Sequence, residues 1–233
     1  MTMPPLYGIG VGPGDPELMT LKAHRLISQA EVIAYPAPDS GESFARRIAA
    51  SAIPEDALEL PIVIPMRTER FPAQEIYDQA AENLRAHMLA GRRCVVLCEG
   101  DPFFYGSFMY LFARLSADLP CEIVPGVNSL AAVTAAASRP LCARADVLTV
   151  LPATLPEAEL EARLTATNAA AIMKLGRHFP KIRALLTRLG LAERAVFVSH
   201  ASLPNQQVWP LSEAPDEAPY FSMILIPGED AHV

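Results

Sequence analysis

The stretch LCEGDPFFYG, Leu97–Gly106, decides how the chain is read. It ends an apolar run, Cys94-Val95-Val96-Leu97-Cys98, that stops abruptly at Glu99-Gly100-Asp101-Pro102. A short, bounded apolar run is the pattern of a buried strand. In an open α/β sheet small molecules bind outside the carboxyl ends of the strands, and Gly100–Gly106 falls at such an end. Gly100 admits a close approach to the backbone, Asp101 brings a carboxylate, and Pro102 stiffens the exit from the turn. The same triplet recurs at Gly14-Asp15-Pro16, again after an apolar strand, Leu6–Val11. Each copy alone is also good turn chemistry. Two copies at two strand ends, each among further glycines, point to loops that line one crevice.

Outward from this stretch, strands and helices alternate. Thr20 is placed to cap a helix carrying Leu21, Leu26, Ile27 and Ala30 inward. Val32–Tyr35 reads as a strand stopped by Pro36 and Pro38, Phe44–Ala52 as a helix, and Leu58–Ile64 as an extended piece broken by Pro61 and Pro65. Ile76, Ala80, Leu84 and Met88 mark one face of a long helix. Gly106–Leu115 is expected to be helical and Cys121–Val124 extended, so residues 1–124 form one α/β domain with parallel strands. Pro125-Gly126 is a natural hinge, and residues 125–233 form the second domain. There Val147–Leu151, Ala170–Met173, Ala195–Ser199, Gln207–Pro210 and Phe221–Ile226 read as strands, with helices over Glu157–Leu164 and Phe179–Leu189. Short links between the last strands predict a mixed sheet.

Composition limits the function classes. The chain has 233 residues, 51% hydrophobic and 19% charged, with a formal net charge of −7. That describes a folded globular protein. It argues against a nucleic-acid binder, which needs a positive surface. No apolar run approaches the roughly 18 residues of a membrane helix, and the first residues lack a basic stretch followed by an apolar one. A cytoplasmic protein without membrane attachment is expected. Cys94, Cys98, Cys121 and Cys142 lack the further ligands of a zinc site and read as small hydrophobes. The histidines show no ligand spacing, so no metal site is expected.

Glycines at 8, 10, 12 and 14 invite a dinucleotide reading, but their spacing refuses G-x-G-x-x-G. The acidic residue that would hold the ribose is missing, since the second strand ends in Tyr35-Pro36. No lysine followed by Ser or Thr completes a P-loop.

LYGIGVGPGDPELMTLKA (Leu6–Ala23) and CEGDPFFYG (Cys98–Gly106) resemble the tetrapyrrole methyltransferases. EIVPGVNSLAA (Glu122–Ala132), LTVLPATLPEAEL (Leu148–Leu160), IMKLGRHFPKIRALL (Ile172–Leu186) and APYFSMILI (Ala218–Ile226) are similar to the branch that methylates C20 of precorrin-2 in cobalamin biosynthesis. The resemblance covers essentially the whole chain. It implies two α/β domains with a cleft between them, a homodimer, and S-adenosylmethionine (SAM) as methyl donor. Carried over by position, Gly100, Asp101, Phe103, Phe104 and Gly106 would surround the methionine part of SAM, with Ser129 and Leu130 following. Met173, His200 and Ala201 would lie towards the adenine, and Tyr220, Phe221 and Ser222 would close that side. Pro13 and Asp15 would belong to the substrate trough. Asn128 departs from the Ser common in the family, which touches only local hydrogen bonds.

Precorrin-2 supplies its own nucleophilic carbon, so the protein's task is alignment and exclusion of water. Asp101 is the candidate for helping the departing proton, although organising the loop is its first reading. A polycarboxylate substrate implies local basic residues, and Arg67, Arg70, Arg139, Arg144, Lys174, Arg177 and His178 are the candidates. Solvated surface is the rival reading for each, least so for Lys174 at a strand end. Phe103, Phe104 and Tyr105 would wall the macrocycle or SAM, or else fill the core. The alternatives are a methyltransferase for another corrin carbon, for uroporphyrinogen III, for diphthamide or for ribosomal RNA, and a non-catalytic tetrapyrrole- or SAM-binding protein.

Overall fold

The computed structural model describes residues 3–64 and 71–229. Arg67 and Arg70 lie outside the described residues. The chain divides into two compact units, Met1–Asn128 and Ser129–Val233.

In the first unit β1 (Leu6–Gly10), β2 (Val32–Ala37), β3 (Leu58–Val63), β4 (Cys94–Cys98) and β5 (Cys121–Val124) form one sheet in the order β3-β2-β4-β1-β5. Every pairing in it is parallel. Helices α1 (Leu21–Ile27), α2 (Phe44–Ala49), α3 (Phe71–Leu89) and α4 (Phe108–Leu115) cover its two faces. Strand alternation divides the core between them. Val95 and Leu97 of β4 pack with Ala23 and Ile27 of α1 and Ala45 and Ile48 of α2. Cys94, Val96 and Cys98 pack with Leu84 and Met88 of α3 and Phe108 and Leu111 of α4. Phe108 and Leu111 are almost wholly buried; burial of side chains of this size contributes roughly 1.5–3 kcal/mol each. Thr20 caps α1 by accepting from the Ala23 N–H at 3.1 Å, and Ser43 caps α2 from Arg46 at 3.3 Å. Leu21, expected to face inward, is 91% exposed, because the buried face of α1 runs through Ala23 and Ile27.

The prolines act differently from the expectation. Strand β2 continues through Pro36 to Ala37, and β3 runs through Pro61 to Val63. Pairing with β4 ends at Ala34, so Pro36 lies where β2 has a partner on one side only, and β3 is the edge strand. A residue without an N–H is tolerated in those places. The helix expected over Phe44–Ala52 tightens into a 3-10 turn at Ala50–Ala52. Helix α4 begins at Phe108 and not at Gly106.

In the second unit β6 (Leu148–Pro152), β7 (Ala169–Met173), β8 (Val196–Ser199), β9 (Gln207–Pro210) and β10 (Ser222–Ile226) form a sheet in the order β6-β7-β10-β8-β9. Strands β6 and β7 are parallel, and the other pairings are antiparallel, which is the mixed sheet expected. Helices α6 (Glu157–Leu164) and α7 (Phe179–Arg188) cover one face through Leu160, Leu164, Phe179, Ile182 and Leu186. The alanine-rich α5 (Ser129–Ala137) lies on the other face, with Val133 against Val198 and Met223.

Candidate functional site

In the first unit, β1 and β4 are neighbours, yet the helices that follow them lie on opposite faces of the sheet. This is a topological switch point, where the two following loops separate and leave room at the strand ends. Both Gly-Asp-Pro triplets leave from it. The loops are tied together by a two-way bridge: Gly12 N–H donates to Gly100 O at 3.3 Å, and Gly100 N–H donates to Gly12 O at 2.8 Å. The chain after β5 closes on the same point. A Cβ on Gly126 would sit 2.1 Å from the Gly100 oxygen, and one on Gly10 would sit 2.5 Å from it. Only bare backbone fits at this junction.

Asp101 holds the junction. Its Oδ1 accepts from the backbone N–H of Phe103 at 2.9 Å and of Phe104 at 3.0 Å. Its Oδ2 accepts from the N–H of Gly126 at 3.1 Å, across to the loop after β5. Asp15 repeats half of this pattern, its Oδ1 accepting from Glu17 N–H at 2.9 Å. Gly100, Asp101, Phe103, Phe104 and Gly106 therefore share one loop, bridged to the loop of Pro13 and Asp15. Phe103 is 45% exposed, though its ring meets Phe112 edge-on at a centroid distance of 5.2 Å. Tyr105, 44% exposed, adopts a left-handed backbone with φ 58°.

A second group gathers within the second unit. Strands β7 and β8 both run antiparallel to β10, so their carboxyl ends flank its start. Met223 is opposite both Met173 and Val198, Ser222 is opposite Ser199, and His200 N–H donates to Phe221 O at 2.8 Å. Lys174 (φ 58°) and His200 (φ 52°) are both left-handed, a conformation that costs non-glycine residues about 1–3 kcal/mol and clusters at functional places. Leu130, Met173 and Ala201 pack in one apolar cluster. Tyr220 is 72% exposed and rests edge-on against Phe221 at 5.0 Å. Met173, Lys174, His200, Ala201, Tyr220, Phe221 and Ser222 are thus brought to one end of the three central strands, with Leu130 and Ser129 at the start of α5.

The basic candidates divide. Arg177 is exposed on the 3-10 turn Gly176–His178 that leads into α7, close in sequence to Lys174. Burial, with the nearby cations Lys181 and Arg177, lowers the pKa of His178. Arg144 stands elsewhere. The Leu141–Asp146 loop meets the far end of β10, where Gly228 N–H donates to Leu141 O at 2.9 Å. Arg144 therefore lies at the sheet end opposite to Lys174, away from the second group. Arg139 is exposed just after α5.

Two residues escaped the sequence reading. Lys181 donates to Ala153 O at 2.9 Å and Leu155 O at 2.7 Å, holding the loop after β6; no local signal marks a contact across so many residues. Glu99 follows β4 and is exposed, and its place between a strand and a glycine was the available signal. Crowding by surrounding protein lifts its carboxyl above the ordinary glutamate range. Residues 99–107 thus offer two carboxylates and three aromatic rings without a cation. That donor set suits a cation with an apolar body and repels a polyanion.

The family profile of Tetrapyrrole (Corrin/Porphyrin) Methylases matches residues 5–215. The precorrin-2 C(20)-methyltransferase of Sinorhizobium sp is 43% identical over 232 residues, covering 96% of this chain and 95% of that protein. The cobalt-precorrin-2 C(20)-methyltransferase of Salmonella typhimurium is 33% identical over 225 residues, covering 95% of each. Among solved structures, the uroporphyrin-III C-methyl transferase of Thermus thermophilus complexed with S-adenyl homocysteine superposes with a TM-score of 0.70 at 27% identity, covering 97% of each chain.

Proposed function

The chain belongs to the tetrapyrrole (corrin/porphyrin) methylase family, and from that premise we propose that it methylates C20 of precorrin-2, giving precorrin-3A, with SAM as the donor. The observation that carries this is the loop after β4. Its backbone is locked by three N–H bonds to Asp101, and its side chains are anionic and aromatic. When bound, SAM supplies a positively charged sulfonium and a methyl group open to displacement. The Asp101 carboxylate would favour that charge, with the partly exposed Phe103 ring in the same loop. Phe104 and Gly106, in the same turn, would hold the methionine part. In the second unit Met173, Ala201 and Leu130 supply an apolar floor for an adenine, with Tyr220 and Phe221 beside it.

Such a reaction asks the protein for positioning and dryness, not for a nucleophile. Asp101 acts here as a loop organiser, because both of its oxygens already accept hydrogen bonds. Lys174 and Arg177 are assigned to the substrate's carboxylates, which a planar guanidinium grips in pairs. The metal-free substrate is favoured over the cobalt form by the higher identity to the Sinorhizobium relative. We also assign the protein a homodimeric state and a cytoplasmic location. Among the described residues no helix is long and apolar enough to cross a membrane.

The test is turnover with precorrin-2 and cobalt-precorrin-2 in parallel, with the new methyl located by NMR and the mass of the native protein by sedimentation. Methylation of any carbon other than C20 rejects the assignment.

A further inference from the structure

Methylating C20 requires a proton to leave. The carbon carries one hydrogen, so once its bond to the methyl has formed and the methyl–sulfur electron pair has stayed on sulfur, the C–H bond must break to restore conjugation. Asp101 cannot take that proton without giving up backbone bonds, since Oδ1 and Oδ2 are engaged by Phe103, Phe104 and Gly126. Glu99 is differently placed. Its neighbour Gly100 is fixed through both its N–H and its C=O to Gly12, so the side chain leaves the strand end from a set position. Cys98, the last residue of β4, packs on the α3/α4 face, and Glu99 follows it at the carboxyl end of the strand, where ligands of such sheets bind.

We propose that Glu99 is the base that accepts the proton from C20, an inference that rests on the methyl-transfer reading above. The C20–H electron pair returns to the macrocycle, the proton moves to a Glu99 carboxylate oxygen, and from that exposed side chain it passes to water. No oxidant, reductant or metal enters the balance.

The surroundings suit the task. Burial is the sole cause of the upward shift of the Glu99 carboxyl. Neither Cys98 nor Asp101 beside it, nor Asp15 after β1, nor Tyr35 and Asp39 along and after β2, adds to that shift. Glu99 keeps access to solvent while burial raises its carboxyl above the ordinary glutamate range. A carboxylate of raised pKa is a stronger base, and a base matched to the working pH contributes on the order of 10²–10⁴-fold to a rate.

The experiment compares wild type, Glu99→Gln and Glu99→Asp. Expected for Glu99→Gln is a fall in kcat of about 100-fold or more, with S-adenosylhomocysteine affinity by calorimetry within about two-fold of wild type and an unchanged melting temperature. Glu99→Asp should recover part of the rate. In wild type, kcat should decline as pH falls through the Glu99 pKa, above the 4.5 of an ordinary glutamate, and that limb should vanish in Glu99→Gln. Carbon NMR of the labelled side chain in the substrate-free protein should show the same elevated titration. Wild-type kcat in Glu99→Gln overturns the proposal. So does a parallel loss of S-adenosylhomocysteine affinity, which would make Glu99 a cofactor anchor, and so does titration at or below the ordinary value. A wild-type enzyme that never methylates C20 sinks the methyl-transfer reading itself, before any variant is compared.

Discussion

Gly126 donates its backbone N–H to Oδ2 of Asp101 at 3.1 Å, tying the loop after β5 to the loop after β4. One carboxylate thereby sets the spacing of two loops at the carboxyl ends of a parallel sheet. Asp101→Ala removes the acceptor for three N–H groups. Leaving half-buried donors unpaired costs about 1–3 kcal/mol, so a lower melting temperature and an S-adenosylhomocysteine Kd raised at least about ten-fold are expected. Calorimetry that finds the affinity unchanged would remove Asp101 from the cofactor loop.

Gly126→Ala should be harsher than its size suggests. The new Cβ meets the Gly100 oxygen at 2.1 Å and the Gly10 Cα at 2.8 Å, and both belong to backbone that cannot rotate away. Overpacking of this kind costs about 1–3 kcal/mol. A midpoint in urea unchanged from wild type in Gly126→Ala would contradict the packing described.

Arg46, Glu59 and Tyr35 form a half-buried network at the outer strands. Arg46 Nε and Nη2 donate to Glu59 at 2.6 and 2.8 Å. The guanidinium lowers the Glu59 pKa below the ordinary 4.5, with Tyr35 helping through its hydroxyl. A lowered folded-state pKa means stability that is complete above the unfolded value and lost as pH falls through the folded one. Glu59→Gln should therefore cost about 1 kcal/mol at pH 7, a figure kept small by solvent screening. The difference from wild type should shrink below pH 4.5. Chemical denaturation at pH 7 and pH 3.5 checks both the size and the direction.

Lys181 and Arg177 separate structural from ligand-facing cations. Lys181→Met leaves the Ala153 and Leu155 carbonyls without their shared donor and should cost about 1–3 kcal/mol. Arg177→Ala should leave the melting temperature and S-adenosylhomocysteine affinity alone while raising KM for the tetrapyrrole. If KM stays constant, Arg177 belongs to the solvated face.

Thiol labelling should follow burial. Cys142 is exposed, whereas Cys94 and Cys98 are buried. Burial pushes the Cys94 thiol up to about 11 and raises that of Cys98 further, so the nucleophilic thiolate is scarce at both. Mass spectrometry after brief iodoacetamide treatment at pH 8 should find carbamidomethyl on Cys142 first, with Cys94 and Cys98 modified only after unfolding.

Local pattern alone determined much of this protein. The apolar run Cys94–Cys98 and the segment Cys121–Val124 become strands with those bounds, Glu157–Leu164 becomes a helix with those bounds, and Thr20 caps where its hydroxyl predicts. These features rest on interactions among residues a few positions apart, which sequence displays directly. The family, too, was legible, because its motifs are the strand-end turns themselves. Tertiary structure alone decided which of two neighbouring carboxylates is committed and which is open. Asp101 meets Gly126 only because β4 and β5 flank β1, and Glu99 sits beside a glycine held by the Gly12–Gly100 bridge. The same holds for Arg144, which sits near β6 in the chain yet at the sheet end opposite to Lys174. Pro36 is another case, admitted to a strand because β4 ends its pairing at Ala34. Partners distant in the chain set these outcomes, and hydrogen bonding and exposure are properties of partners, not of residues.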